Sequence, residues 1–170
     1  MIDDQMLLTY AQQLGEALAE RGFMLTSAES CTGGWIGQAV TAVAGSSAWY
    51  DRGFITYSNH AKQQMLGVQS ATLTQYGAVS EQTAQEMAAG AIKMSDAQLA
   101  VAVTGIAGPT GGSKEKPVGM VCFAWASRQG FARSKTHFFS GNREAVRRQA
   151  VGTALQGILK LLKDIPPSLA

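Results

Sequence analysis

An α/β fold, a three-layer α/β/α sandwich around a mixed, mostly parallel sheet, is what the sequence predicts, and three observations carry that expectation. Apolar runs of strand length alternate with segments of helical periodicity along the chain. Leu99-Ala100-Val101-Ala102-Val103 is continuously apolar, as a strand covered on both faces must be. The runs 119–126 and 131–139 are separated only by Ser127-Arg128-Gln129-Gly130, a spacing that favours an antiparallel hairpin.

Taken in order, Leu7, Ala11, Leu14 and Leu18 recur at helical spacing, so Asp4–Arg21 should be an amphipathic helix capped by Asp3 or Asp4 and stopped at Gly22. Residues 24–28 read as a strand and 35–43 as the helix after it. Ala44-Gly45-Ser46-Ser47 is a break of small residues leading to a second strand at 53–57, and a short helix opens at 58–62 and ends near Gly67. Ser70–Tyr76 is a further helical turn, and Ser80 caps a helix through Met94 with Ala84, Met87, Ala88, Ala91 and Ile92 inward. The 99–103 strand feeds the longest irregular segment, 104–113. Residues 143–163 form the last helix, and a loose tail is expected over 165–170. With no repeat or second-domain boundary, residues 1–170 read as one domain.

Composition narrows the function classes. Of 170 residues, 46% are hydrophobic and 15% charged, which is globular and enough for a core without disulfides or metal. A net charge of +2 with no run of Lys or Arg argues against nucleic acid as the main partner. Cys31 lies in a polar turn and Cys122 in an apolar strand-like run, so a structural disulfide is not expected and a reducing compartment is. The start, Met1-Ile2-Asp3-Asp4, has no signal-peptide pattern, and no apolar run is long enough for a bilayer. A soluble cytoplasmic protein, without membrane contact, is the expectation.

The most informative stretch is Ala28-Glu29-Ser30-Cys31-Thr32-Gly33-Gly34, which puts hydroxyls, a thiol, a carboxylate and two glycines at a strand-to-helix turn. Unpaired N–H groups at a helix start suit a developing oxyanion or a phosphate. A plain turn, capped by Ser30 or Thr32 and eased by the glycines, would have the same sequence. Lys62 follows the second strand and should return to the same sheet edge; as a base it needs burial or nearby positive charge to stay neutral near pH 7. Tyr57 could bridge it to Ser30, while an exposed helix cation is the plainer account of Lys62. Cys31 is a rival nucleophile, with a thiol pKa that a helix N-terminus would lower.

The glycine-rich 104–113 segment fails the known phosphate-loop patterns, since Ser113 stands where a glycine five residues after Gly108 is needed and Lys114 precedes Glu115. It remains an N–H-rich loop at a strand end, where open α/β sheets bind ligands, or an ordinary surface loop. Arg143 and Arg147, four apart at the start of the last helix, make a phosphate or carboxylate clamp or a pair of surface salt-bridge donors. The two histidines, His60 and His137, are far apart and outside any ligand cluster, so no metal site is expected and a Ser-His-Asp triad is poorly supplied.

Seven ordered motifs carry a resemblance: Ala28 to Gly34, Gly45-Ser46-Ser47, Tyr57-Ser58-Asn59 with Lys62, Gly77-Ala78-Val79-Ser80, Thr104 to Pro109, Lys116-Pro117-Val118-Gly119 and Ser140-Gly141-Asn142-Arg143. From about residue 5 to 163 the chain resembles the CinA C-terminal domain family, whose stand-alone members are nicotinamide mononucleotide (NMN) amidohydrolases. The resemblance implies hydrolysis of the NMN carboxamide to nicotinate mononucleotide and ammonia, without metal or redox cofactor. It puts the nucleophile on Ser30 and the base on Lys62, with Tyr57 beside it. Substrate contacts are expected from Cys31, Thr32, Gly33, Gly34, Ser47, Asn59, Thr104, Gly105, Gly108, Arg143 and Arg147. The oxyanion would rest on N–H groups from Thr32 to Gly34. His60 and Asn142 are small departures from the family's pattern. A homodimer is what similar proteins suggest, and a non-catalytic nucleotide-binding or regulatory module is the competing class.

Overall fold

A computed structural model describes residues 1–167. Five strands, β1 (Leu25–Glu29), β2 (Tyr50–Ile55), β3 (Leu99–Gly105), β4 (Met120–Ser127) and β5 (Ala132–Phe138), form one sheet in the order β2-β1-β3-β4-β5. β1 runs parallel to both β2 and β3, whereas β3–β4 and β4–β5 are antiparallel. The sheet is therefore mixed but not mostly parallel. The physical reason is connection length: β3 returns as β4 through a loop and β4 as β5 through a tight turn, and neither spans the helix that a parallel crossover requires.

Side-chain alternation divides the strands between two cores. Leu25, Leu99, Val101, Val103, Val121, Phe123 and Trp125 pack with α1 (Asp4–Arg21), α2 (Trp35–Thr41) and α6 (Arg143–Asp164). Ala28, Ala100, Ala102, Cys122 and Ala124 face the other way, against Ala84, Met87, Ala88 and Ala91 of α5 (Glu81–Lys93). Alanine on alanine leaves little between helix and sheet, so α5 lies close on β1, β3 and β4. α3 (Asn59–Leu66) and α4 (Ser70–Tyr76) then pack on α5. The bulkier face accommodates its rings individually: Trp125 donates Nε1–H to the Ala154 carbonyl at 2.9 Å, over Gly157, where a side chain would collide with the indole.

Local signals explain the ends. Asp3 accepts the Met6 N–H at 2.8 Å, and Gly22 closes α1 with φ of 63°, in the left-handed region. β2 begins and ends earlier than the 53–57 expectation, because its ladder starts where the Trp49 carbonyl accepts the Leu25 N–H. Ile165, expected in the loose tail, is buried, and Arg21 donates to the carbonyls of Leu162, Ile165 and Pro166. Residues 168–170 of that tail lie outside the described residues. Among the described residues no helix is long and apolar enough to cross a membrane.

Candidate active site

Parallel register assembles the site. Glu29, the last residue of β1, is level with Ile55 of β2 and Val103 of β3, so Ser30 and Thr56 leave the sheet beside Thr104, which is still within β3. The Ser30 N–H donates to the Val103 carbonyl and the Thr56 N–H to the Glu29 carbonyl, at 3.0 and 2.8 Å. Ser58 caps α3 by accepting the Ala61 N–H, and one turn in, Lys62 and Leu66 form its buried side. That orientation sends the lysine back under the sheet edge.

Lys62 is 1% exposed, and its Nζ lies 3.0 Å from Ser30 Oγ and 2.8 Å from the Thr56 carbonyl oxygen, to which it donates. Burial holds its pKa below the ordinary lysine value; the one opposing influence is the Cys31 thiol, which would have to ionise. It does not, because burial pushes that thiol up to about 12 against the pull of nearby Arg147 and Lys62. Cys31 thus lacks the thiolate that a nucleophile needs. Ser30, 8% exposed, has both an open side and an amine at hydrogen-bond distance.

A cleft of about 280 Å³ opens over this pair. Of the residues singled out from the sequence, Ser30, Cys31, Tyr57, Asn59, Lys62, Thr104, Gly105, Gly108 and Arg143 line it. Arg143 Nη1 donates to the Gly108 carbonyl at 2.8 Å and Nη2 to Tyr57 Oη at 3.1 Å, so the guanidinium ties the loop after β3 to the far wall. Tyr57 is 61% exposed and its hydroxyl pairs with Arg143; a tyrosine bridge between Lys62 and Ser30 is not formed, and the two meet directly. Thr104 is buried and donates to the Ala78 carbonyl at 2.7 Å, which draws the 77–80 segment in as the remaining wall.

Other expected contacts fall elsewhere. Ser47 sits in a 3₁₀ turn, Ser46–Ala48, just before β2, at the opposite edge of the sheet from the cleft. Thr32, Gly33 and Gly34 belong to the turn but do not line the cleft. The Gly33 N–H donates to the Ser30 carbonyl at 3.0 Å and the Gly34 N–H to Glu29 Oε1 at 3.2 Å, so neither is left for an oxyanion. Arg147 is spent on the same turn: Nε and Nη2 donate to the Cys31 and Thr32 carbonyls at 3.1 and 3.0 Å, and its guanidinium lies 5.2 Å over the Trp35 ring. The two arginines therefore separate, Arg143 toward the cleft and Arg147 behind the turn.

Sequence reasoning gave Glu29 no role, yet it is 1% exposed and accepts from the Thr32 hydroxyl at 2.7 Å, the Ile36 N–H at 2.9 Å and the Gly37 N–H at 3.1 Å besides Gly34. The available signal was its place: an acid just before a helix start complements the unpaired N–H groups there. Ala78, Val79, Ile106, Ala107, Thr110 and Gly111 also line the cleft, and as small or apolar residues they carried no chemical signal.

A buried serine–lysine pair lies beneath an open cleft at the strand ends of an α/β sheet, the edge at which such sheets bind ligands. The chain belongs to the CinA C-terminal domain family, which it matches over residues 7–162. It is 56% identical over 153 residues to the nicotinamide-nucleotide amidohydrolase PncC of Escherichia coli (strain K12), covering 90% of this chain and 93% of that protein. Identity to the nicotinamide-nucleotide amidohydrolase PncC of Pseudomonas putida is 49% over 155 residues, 91% and 96% of the two chains. The crystal structure of the competence/damage inducible protein CihA from Agrobacterium tumefaciens superposes with a TM-score of 0.90 at 48% identity, covering 92% of this chain and 95% of that one.

Proposed function

We propose that the protein hydrolyses the carboxamide of NMN to nicotinate mononucleotide and ammonia, with Ser30 as nucleophile and Lys62 as base. The observation that carries the reading is the 3.0 Å approach of a buried, charge-disfavoured amine to a hydroxyl in a cleft of nucleotide size. The amidohydrolase relatives supply the substrate class.

Neutral Lys62 already donates one N–H to the Thr56 carbonyl, so its lone pair can face Ser30 and take the hydroxyl proton as Oγ attacks the carboxamide carbon. With Gly33 and Gly34 committed and Thr32 outside the cleft, the oxyanion is assigned to the N–H group of Cys31; such a donor is worth about 3–4 kcal/mol. The Lys62 ammonium returns its proton to the departing nitrogen, ammonia leaves, and the Ser30 ester remains. Neutral Lys62 then draws a proton from water as that water attacks the ester, which frees nicotinate mononucleotide and restores the serine.

The phosphate is assigned to Arg143 and the 104–108 backbone. A charge-assisted contact of about 1.5–3 kcal/mol corresponds to about a 10- to 150-fold change in binding. Arg143→Ala should therefore raise KM for NMN by that order with a much smaller effect on kcat, as measured by steady-state ammonia release. A kcat effect without a KM effect would remove Arg143 from phosphate binding.

The unit is read as a single catalytic domain in three α/β/α layers, working in the cytoplasm, where both thiols remain free. Incubating the pure protein with NMN should yield ammonia and nicotinate mononucleotide in equal amounts. NMN binding without turnover at any pH from 6 to 10 would replace the enzyme reading by that of a nucleotide-binding module.

A further inference from the structure

We infer that Glu29 is a positioning residue for the nucleophile turn, acting as the resident anion of the N–H groups at the start of α2. The inference rests on the amidohydrolase reading of the same site.

Two sets of contacts meet in this side chain. Its backbone is fixed in the sheet, with the carbonyl accepting the Thr56 N–H at 2.8 Å and the residue in register with Ile55 and Val103. Its carboxylate, almost fully buried, accepts from the Thr32 hydroxyl and the N–H groups of Gly34, Ile36 and Gly37. One residue thus joins strand to helix on either side of Ser30, which spans the gap between them. Arg147 holds the same turn from behind through the Cys31 and Thr32 carbonyls. In a trans peptide the next N–H points opposite to the carbonyl, so the Ser30 carbonyl, which accepts the Gly33 N–H at 3.0 Å, also fixes the direction of the Cys31 N–H. Carboxylate and guanidinium together leave the turn one arrangement.

Glu29→Gln keeps the size but turns one acceptor into a donor facing N–H groups. We expect kcat for NMN to fall about 10- to 100-fold, as for a slightly misplaced nucleophile, with KM within about twofold. Glu29→Ala leaves a buried hole lined by donors, and formate should both restore turnover severalfold and raise the melting temperature of this variant but not of the wild type. Wild-type kcat in Glu29→Gln, or a shift in KM alone, would overturn the positioning role. A folded Glu29→Ala that formate neither stabilises nor reactivates would overturn the resident anion. Should Glu29→Ala fail to fold, the kcat and KM of Glu29→Gln decide. Absence of NMN turnover in the wild type would count against the proposed function instead, and the formate-dependent melting shift would still report on the anion.

Discussion

Lys62→Met is expected to abolish amide hydrolysis, with kcat/KM falling by about 10²–10⁴, the usual share of a general base. The wild-type pH profile should show why: activity climbs with pH as the buried ammonium loses its proton, along a limb that lies below the ordinary lysine value of 10.5. Stability should follow the same group. With the folded pKa depressed, the unfolded chain binds the extra proton between that pKa and 10.5, so folding becomes more favourable as pH rises through this window. Below it, the native state bears the full cost of a buried ammonium. Methionine lacks the charge, so the variant's melting temperature relative to wild type should improve as pH is lowered through this window and level off below it, about 2–4 °C for each 1 kcal/mol recovered at this chain length. A gap independent of pH, or turnover that survives the substitution, would remove Lys62 from the mechanism.

The second large effect concerns which neighbour attacks. Ser30→Ala should cost at least about 10³–10⁴ in kcat, because neither the adjacent thiol nor water can replace the hydroxyl at Lys62. Cys31→Ala should lose stability more than turnover, as expected for a buried thiol whose pKa stands near 12. Acid quenching during turnover, followed by peptide mass analysis, should locate the nicotinate mononucleotide ester on Ser30. Activity that survives in Ser30→Ala and vanishes in Cys31→Ala would reverse the assignment.

Local chemistry was the legible part of this sequence. Asp3, Gly22, Ser58 and Ser80 mark helix ends by side-chain or backbone preferences that act within four residues, and the structure places caps at each. The continuous apolar run at 99–103 did belong to a strand buried on both faces. The meeting of Ser30 and Lys62 was foreseen because both follow strands and so emerge at one sheet edge. Sheet direction was less legible, since it depends on how β3 connects to β4 rather than on either strand's composition. Ser47 shows a related limit: a motif placed it near the site in sequence order, yet it precedes β2 while the cleft follows it. Arg143 and Arg147 looked alike at helical spacing, and only tertiary partners separate them. The Glu29 carboxylate was visible in the turn motif but had no role there, because the donors it meets exist only once α2 has formed.

The cleft takes its walls from segments spread between residues 30 and 143, drawn from the ends of three strands and from helices on both faces of the sheet. No portion of the polypeptide holds enough of it to bind or cleave anything alone. Partial unravelling of either layer would dismantle catalysis together with tertiary order, so turnover and near-ultraviolet dichroism should melt along one curve. Specific activity in this protein is thereby a gauge of the folded fraction.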